Sequence, residues 1–138
     1  MEVPALDPDD GRVLSVKVAG GAALLVAKLH KIFERVGDPR RLVDKDAHDS
    51  YRILRAIDTD ELAEAFVRLL ESELSGQVAQ EALGYLAVLF GAGPGAAGAM
   101  MAGRAEEGVG DPEQVAVAAA FLAEDLLAAL RGAGYTVA

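Results

Sequence analysis

The sequence predicts a mainly α-helical protein, a bundle of about five helices with one short N-terminal strand. Apolar residues recur at helical spacing through most of the chain, and Asp, Pro and Gly residues punctuate the pattern where helices would begin and end. A chain of 138 residues is long enough to bury a core without disulfides, and it contains no cysteine. We therefore expect a flexible acidic N-terminus over 1–11 and a single helical domain over 12–138.

The N-terminal strand is predicted over residues 12–18, which read RVLSVKV. Valine and leucine alternate there with polar residues, a pattern typical of a half-buried strand. A single strand cannot satisfy its own backbone hydrogen bonds. We therefore expect it to pair with a second copy, another chain, or a part of the protein outside these residues.

A helix is predicted from about Ala22 to Val36, after the glycine pair at 20–21. An apolar face and a cationic stripe beside it both follow helical spacing. Lys28 therefore lies at the edge of the apolar face. The apolar face consists of Leu25, Leu29, Ile32 and Val36, and the stripe consists of Lys28, Lys31 and Arg35.

A turn over 37–41 leads to a second helix, predicted from Asp44 to near Ile57. Asp44 is suited to the N-cap position. Asp46 projects toward the apolar side of this helix, and Asp49 lies one step around from it. An acid that leans toward a buried face needs a partner of opposite charge, and the preceding helix carries cations. Residues 22–57 are therefore predicted to form a helix pair that carries the chemistry of the chain.

Residues 58–138 are predicted to form a helical tail. Start and stop signals divide it: an acidic capping segment, a glycine, a glycine-rich loop, and an Asp-Pro start. The predicted elements are helices over 59–74 and 77–90, a short helical turn near 99–105 in the loop over 91–110, and a last helix that begins at 111–112 and stops at Gly132 and Gly134.

Charge is distributed unevenly along this acidic chain, whose net charge is −9. Residues 16–55 hold nine Lys or Arg and five Asp or Glu, a net of +4, whereas residues 56–138 hold three and thirteen, a net of −10. General nucleic-acid binding needs a broad basic surface, so we do not expect it. One cationic segment on an acidic body favours a local anion site.

The sequence predicts a cytoplasmic protein without a membrane span. The N-terminus has acids where a signal peptide needs cations. The uncharged stretch between Glu81 and Arg104 is long enough for a bilayer, but its second half is glycine, proline and alanine. A helix followed by a loop is the better interpretation of that stretch.

Two other motifs carry little chemistry. Gly93, Gly95 and Gly98 match G-x-G-x-x-G, but a predicted helix precedes them where a dinucleotide site requires a strand. His30 and His48 each lie near an acid. No Ser or Cys is placed as a nucleophile beside them, and two histidines on separate helices make a poor metal site.

The strongest candidate site lies between the first two helices of the domain. An antiparallel helix pair with a short connection brings Lys28 near Asp46 and Asp49. Clustered cations bind phosphates, and a carboxylate can orient a lysine or hold magnesium. A plain interhelical salt bridge explains the same residues equally well, and the residues alone leave both interpretations open.

The order of these motifs resembles the AbiEii-type nucleotidyltransferase-like family, the toxin components of abortive-infection toxin–antitoxin systems and their relatives. The resemblance covers about residues 12–57: an apolar strand, AALLVAKLH at 22–30, an arginine, and KDAHD at 45–49. Such proteins typically carry K-L-x-A, then an arginine, then [KR]-D-x-x-D at the start of the next helix.

The resemblance implies roles for six residues. The lysine of the first helix is expected to approach the nucleoside triphosphate, and the first aspartate of the second motif to complete the active site. Carried over to this sequence, the expected catalytic residues are Lys28, Asp46 and Asp49, and the expected nucleotide- and phosphate-binding residues are Lys31, Arg35 and Lys45, with no metal ligands.

The resemblance further implies that this chain is the phosphate-contacting C-terminal half of such an enzyme. The catalytic G-S motif and metal-binding acids of the family lie on an N-terminal mixed sheet, for which residues 1–18 offer no counterpart. We therefore expect no cofactor and no turnover for the isolated chain, and magnesium with a nucleoside triphosphate only in a complete enzyme.

The expected partners are a nucleotide and either an N-terminal catalytic partner or a second copy of the chain. The alternative is a helical protein-interaction or homodimerisation module with no catalytic role. In that module the cluster around Lys28 is purely structural.

Overall fold

A computed structural model of the chain describes residues 8–36 and 44–137, with side chains from Lys17 onward. The described part is mainly α-helical, which confirms the predicted mainly α-helical class, and it contains no strand. A π-helical turn extends the fourth helix. The elements are α1 (Pro8–Arg35), α2 (Asp44–Ala56), α3 (Thr59–Glu71), α4 (Gly76–Leu86) with its π-helical turn (Ala87–Gly91), α5 (Ala97–Arg104) and α6 (Pro112–Gly132).

The predicted strand over 12–18 is not observed, because these residues lie inside α1. The glycine pair at 20–21 also lies within that helix, which begins at Pro8 rather than near Ala22. A helix satisfies its backbone hydrogen bonds internally, whereas a lone strand would need a partner. Residues 8–11, predicted to be flexible, are helical as well, and residues 1–7 lie outside the described part.

The core forms where the apolar faces of the helices meet, and it includes most of the predicted face of α1. Leu25, Leu29 and Ile32 are fully buried, whereas Val36 is 42 % exposed because it lies just beyond the end of α1. The largest fully buried side chains of the described residues are Phe66, Phe90, Leu25, Leu29, Ile32, Leu62, Leu83, Leu86, Leu126, Leu127 and Leu130.

Aspartate caps fix two helix starts as the sequence predicts. The Asp58 carboxylate accepts a hydrogen bond from the backbone N–H of Asp60 at the start of α3. The Asp111 carboxylate accepts from Glu113 and Gln114 at the start of α6. These bonds satisfy backbone donors that have no partner inside the helix. Helix α3 ends at Glu71, earlier than predicted, and Gly76 begins α4 instead of ending α3.

The glycine motif of the sequence has a structural explanation. Gly93 has φ +126°, in the region that favours glycine. A Cβ on Gly98 would lie 2.7 Å from the carbonyl oxygen of Leu89, so only glycine permits this close approach. A helical segment ends just before Gly93. The motif therefore shapes the entry to α5, and the strand required for a dinucleotide site is not found in the described residues.

Helix α2 is held between two neighbours, because it packs on α1 and on α5. Its first turns therefore face α1 on one side and the C-terminal end of α5 on the other. Among the described residues, no helix combines the length and apolar character that crossing a membrane requires.

Candidate functional site

Lys28 of α1 joins two carboxylates of α2. Its Nζ donates to Oδ1 of Asp46 at 2.8 Å and to Oδ2 of Asp49 at 3.1 Å. The Lys28 and Asp46 side chains are only 18 % and 10 % exposed. The structure thus brings together the three residues expected to be catalytic, while their roles stay predictions.

Two further lysines complete what we call the lysine–aspartate cluster: Lys28, Lys31, Lys45, Asp46 and Asp49. Nζ of Lys31 lies 3.4 Å from Oδ2 of Asp46, and Nζ of Lys45 lies 3.5 Å from Oδ2 of Asp49. Each aspartate therefore faces two ammonium groups. The cluster contains three cations and two anions and is positive by one charge.

Local packing explains how an aspartate comes to lie at the buried side of α2. Ala47, Ser50 and Leu54 of this helix are buried, and Asp46 shares their side. The buried Ser50 hydroxyl donates to the backbone carbonyl of Asp46 at 3.0 Å, which satisfies it within the helix. A carboxylate in this position is stable only because Lys28 reaches it from α1.

The ion pairs shift three pKa values. Burial alone would raise the pKa of Asp46, but hydrogen bonds and charges from Lys28 and then Lys31 outweigh it, so that pKa lies below its usual value. The pKa of Asp49 is lowered in the same way by Lys28 and Lys45. The pKa of Lys28 is raised by its hydrogen bonds to Asp46 and Asp49. All three groups are therefore charged at neutral pH.

Arg35 was expected to bind phosphate with Lys31 and Lys45, but it makes no ion pair with the aspartates of the cluster. It occupies the last turn of α1 and pairs with neither Asp46 nor Asp49. The connection over 37–41, which was predicted as a turn, lies outside the described residues.

A groove of about 500 Å³ lies beside the cluster, between α1 and α2. Lys28 and Asp49 form part of its wall, so the central ammonium group borders the open space. Arg52 and Arg55 also line the groove and were not among the predicted site residues. Asp49, Arg52 and Arg55 follow one another at intervals of three residues, which keeps them near one face of α2. This spacing is the sequence feature that could have placed the two arginines at the site. The other lining residues are Leu24, Ile53, Ala56 and Ile57.

A second set of side-chain contacts fixes the opposite side of α2. Arg104 at the end of α5 binds both carboxylate oxygens of Asp44, at 2.9 and 3.2 Å. Nε2 of His48 makes a short contact with Oε2 of Glu106, in the turn after α5. These pairs orient α2 so that Asp46 and Asp49 face α1.

Both histidines make contacts that join separate parts of the fold. Nε2 of His30 lies 2.9 Å from the backbone carbonyl oxygen of Val78, and its ring meets Tyr85 edge-on at 4.9 Å. His48 contacts Glu106, as described above. Among the described residues, neither histidine makes a hydrogen bond with a Ser hydroxyl.

The charges of the described groove lining favour an anion. Among the described lining residues, Lys28, Arg52 and Arg55 are cationic and Asp49 is the one carboxylate, so this part of the lining is positive. The chain matches no protein-family model, no curated protein and no solved structure. Its function must therefore be argued from the groove and the cluster beside it.

Proposed function

We propose that this chain is the phosphate-contacting helical half of a nucleotidyltransferase-like protein of the AbiEii type, and that its α1–α2 groove binds the phosphates of a nucleotide. The observation that carries the proposal is the position of Lys28. Its ammonium group is held by two aspartates at 2.8 and 3.1 Å and at the same time borders a groove with two further cations.

The aspartates serve as positioning residues in this proposal. A free lysine side chain samples many rotamers, and ordering it on a ligand costs free energy. Asp46 and Asp49 restrict Lys28 before the ligand arrives, so less ordering remains to be done on binding. Lys31 and Lys45 add positive charge beside the same carboxylates.

The isolated chain is proposed to bind a nucleotide without catalysing nucleotidyl transfer. Nucleotidyl transfer needs magnesium held by carboxylates and an activated acceptor oxygen. Both aspartates of the cluster are engaged by lysines. Magnesium and its carboxylates belong, in this proposal, to an N-terminal catalytic half that completes the enzyme.

The test measures thermal unfolding in millimolar ATP, with and without MgCl2, because a ligand that binds only the folded state raises the melting temperature. We expect a rise for the wild type under at least one of the two conditions. Lys28→Gln should weaken binding about tenfold, since it removes a charge-assisted bond. Arg68→Gln, an exposed arginine on α3 outside the groove, is the matched control.

Asp49→Asn separates this function from a purely structural cluster. Removing this negative charge should lower the melting temperature without ligand but raise the affinity for ATP, because the groove lining becomes more positive while Asp46 still holds Lys28. A wild type that shows no shift with ATP in either condition would overturn the proposal. So would an Asp49→Asn variant that loses binding while it stays folded.

The alternative function, a helical interaction module, rests on a different surface. Val117 and Phe121 lie one turn apart on α6 and are 39 % and 68 % exposed. A large exposed aromatic side chain is typical of protein interfaces. Sedimentation of the wild type and of Phe121→Ser tests this alternative. A dimeric wild type with a monomeric variant favours the interaction module. If both proteins sediment as monomers, the result argues against it.

A further inference from the structure

The α1–α2 groove is lined by apolar as well as cationic side chains. Leu24 of α1 is 48 % exposed, and Ile53 and Ile57 on the α2 side are partly buried, so together they form an aliphatic wall. Arg52 and Arg55 are exposed, and neither makes an ion pair with a carboxylate of the described residues. The groove therefore suits an occupant that is both apolar and anionic.

A surface of that kind lies on α6. Phe121 is 68 % exposed, and Val117, one turn before it, is 39 % exposed. Glu124 and Asp125 follow three and four residues after Phe121 and are exposed, so their carboxylates flank its ring. Glu124 pairs with Arg131 at 3.0 Å, whereas Asp125 has no ion pair among the described residues. We call Val117, Phe121, Glu124 and Asp125 the α6 face.

The α6 face contributes nothing to the packing of its own chain. The opposite side of α6 packs on α3 and α5, and Phe121 remains largely in water. The described lining of the groove belongs to α1, α2 and the residue after α2, so α6 of the same chain does not reach it. A second copy is therefore needed to bring the two surfaces together.

Charge decides which surface of a second copy fits. A symmetric contact would place one α6 face against another, with carboxylates on both sides, and like charges disfavour such a contact. In the groove, three cations outnumber the one carboxylate among the described lining residues. The α6 face and the groove are therefore complementary both in charge and in apolar character.

We propose that the α6 face of one copy docks in the α1–α2 groove of a second copy. Phe121 packs against the aliphatic wall, and the two carboxylates of the α6 face pair with the two guanidinium groups, which suit carboxylates geometrically. An aromatic anchor in a pocket is typical of the residues that dominate binding. The contact is head-to-tail and can repeat, because each docked copy still offers one unused surface. It goes beyond the proposed function and holds whether or not the groove also binds phosphate.

Sedimentation equilibrium of the chain in low salt, without nucleotide, tests the contact. The mean mass of the wild type should rise with concentration above that of the monomer, and high salt should reverse the rise by screening the charges. Phe121→Ser should weaken association by about tenfold or more. Arg52→Glu/Arg55→Glu should do the same from a different helix. Arg68→Gln, an exposed arginine of α3 outside both surfaces, is the control and should associate as the wild type does.

Mixing the two defective proteins tests whether the surfaces meet each other. The Phe121→Ser protein keeps its groove, and the Arg52→Glu/Arg55→Glu protein keeps its α6 face. Each should be monomeric alone, and the equimolar mixture should form a one-to-one dimer that does not grow further. Helical circular dichroism shows that both are folded, and Arg52→Gln/Arg55→Gln replaces the charge reversal if that variant unfolds.

Three results would overturn the inference. The first is a wild type that stays monomeric up to millimolar concentration. The second is association that the double arginine variant retains, which would indicate a contact between two α6 faces. The third is a mixture that stays monomeric. No nucleotide is present, so failure here leaves the proposed function intact, and failure of ATP to bind leaves this inference intact.

Discussion

Nζ of Lys28 lies 2.8 Å from Oδ1 of Asp46, although the two residues are 18 positions apart and belong to different helices. Asp46 is 10 % exposed at its side chain. A carboxylate so far removed from water is stable only when a partner replaces its hydration. The α1–α2 interface therefore depends on this lysine whether or not a ligand binds.

Replacing Lys28 by methionine should lower the free energy of unfolding by about 1–3 kcal/mol. The substitution keeps the length of the side chain but leaves Asp46 and Asp49 with weaker partners, and a stranded polar group costs about that much. Urea unfolding followed by circular dichroism measures the change. Lys17→Met on the exposed side of α1 is the control and should change stability by less than about 0.5 kcal/mol. Equal effects of the two variants would contradict the prediction.

The stabilising effect of Asp46 should disappear in acid. Its pKa is lower in the folded chain than in the unfolded chain, where it is about 3.9. Its contribution is therefore fully present above about pH 5, begins to fall as the pH approaches the unfolded value, and is lost as the pH falls through the lowered folded value. Urea unfolding of the wild type and Asp46→Asn from pH 7 to pH 2.5 should show a difference that shrinks below pH 4. If the difference in free energy of unfolding between the two proteins does not change with pH, the prediction is contradicted.

Much of the fold follows from local signals in the sequence. Asp58 and Asp111 mark the starts of α3 and α6 because an aspartate at an N-cap satisfies backbone donors. The segment over 12–18 was misassigned because a short run of alternating Val and Leu also fits a helix. The π-helical turn at Ala87–Gly91 was not predicted, since no local signal for it was recognised.

The site was predictable only where helical spacing fixes it. Spacing places Lys28 at the edge of the apolar face of α1 and Asp46 near that of α2, so their contact was foreseen. Arg52 and Arg55 were missed because they become neighbours of Lys28 only through the packing of α2 on α1. The contact of His48 with Glu106 joins residues 58 positions apart through a turn, which spacing cannot anticipate.

The Asp44–Arg104 pair should show a coupling free energy of about 0.5–1 kcal/mol in a double-mutant cycle with Asp44→Asn and Arg104→Gln. Both guanidinium bonds are short, at 2.9 and 3.2 Å, and the Asp44 side chain is half-buried. Thermal or urea unfolding of the four proteins measures the coupling.

The Glu124–Arg131 pair provides the comparison for that cycle. It has one bond of 3.0 Å between side chains that are about half exposed, so its coupling should be smaller. A coupling at Asp44–Arg104 no larger than the one at Glu124–Arg131 would show that the bidentate pair does not fasten α2 to α5.

Alanine substitutions at Gly103 and Gly84 should change stability in opposite directions. A Cβ on Gly103 would lie 2.5 Å from the backbone carbonyl oxygen of Pro112, and neither backbone can move without separating α5 from α6. Such overpacking typically costs about 1–3 kcal/mol. Gly84 lies inside α4 with nothing within 4 Å of the added Cβ, so alanine there should stabilise by about 0.5–1 kcal/mol through its helix propensity. Urea unfolding of both variants tests the packing of α5 on α6. If Gly103→Ala is as stable as Gly84→Ala, these two helices do not approach each other as closely as described.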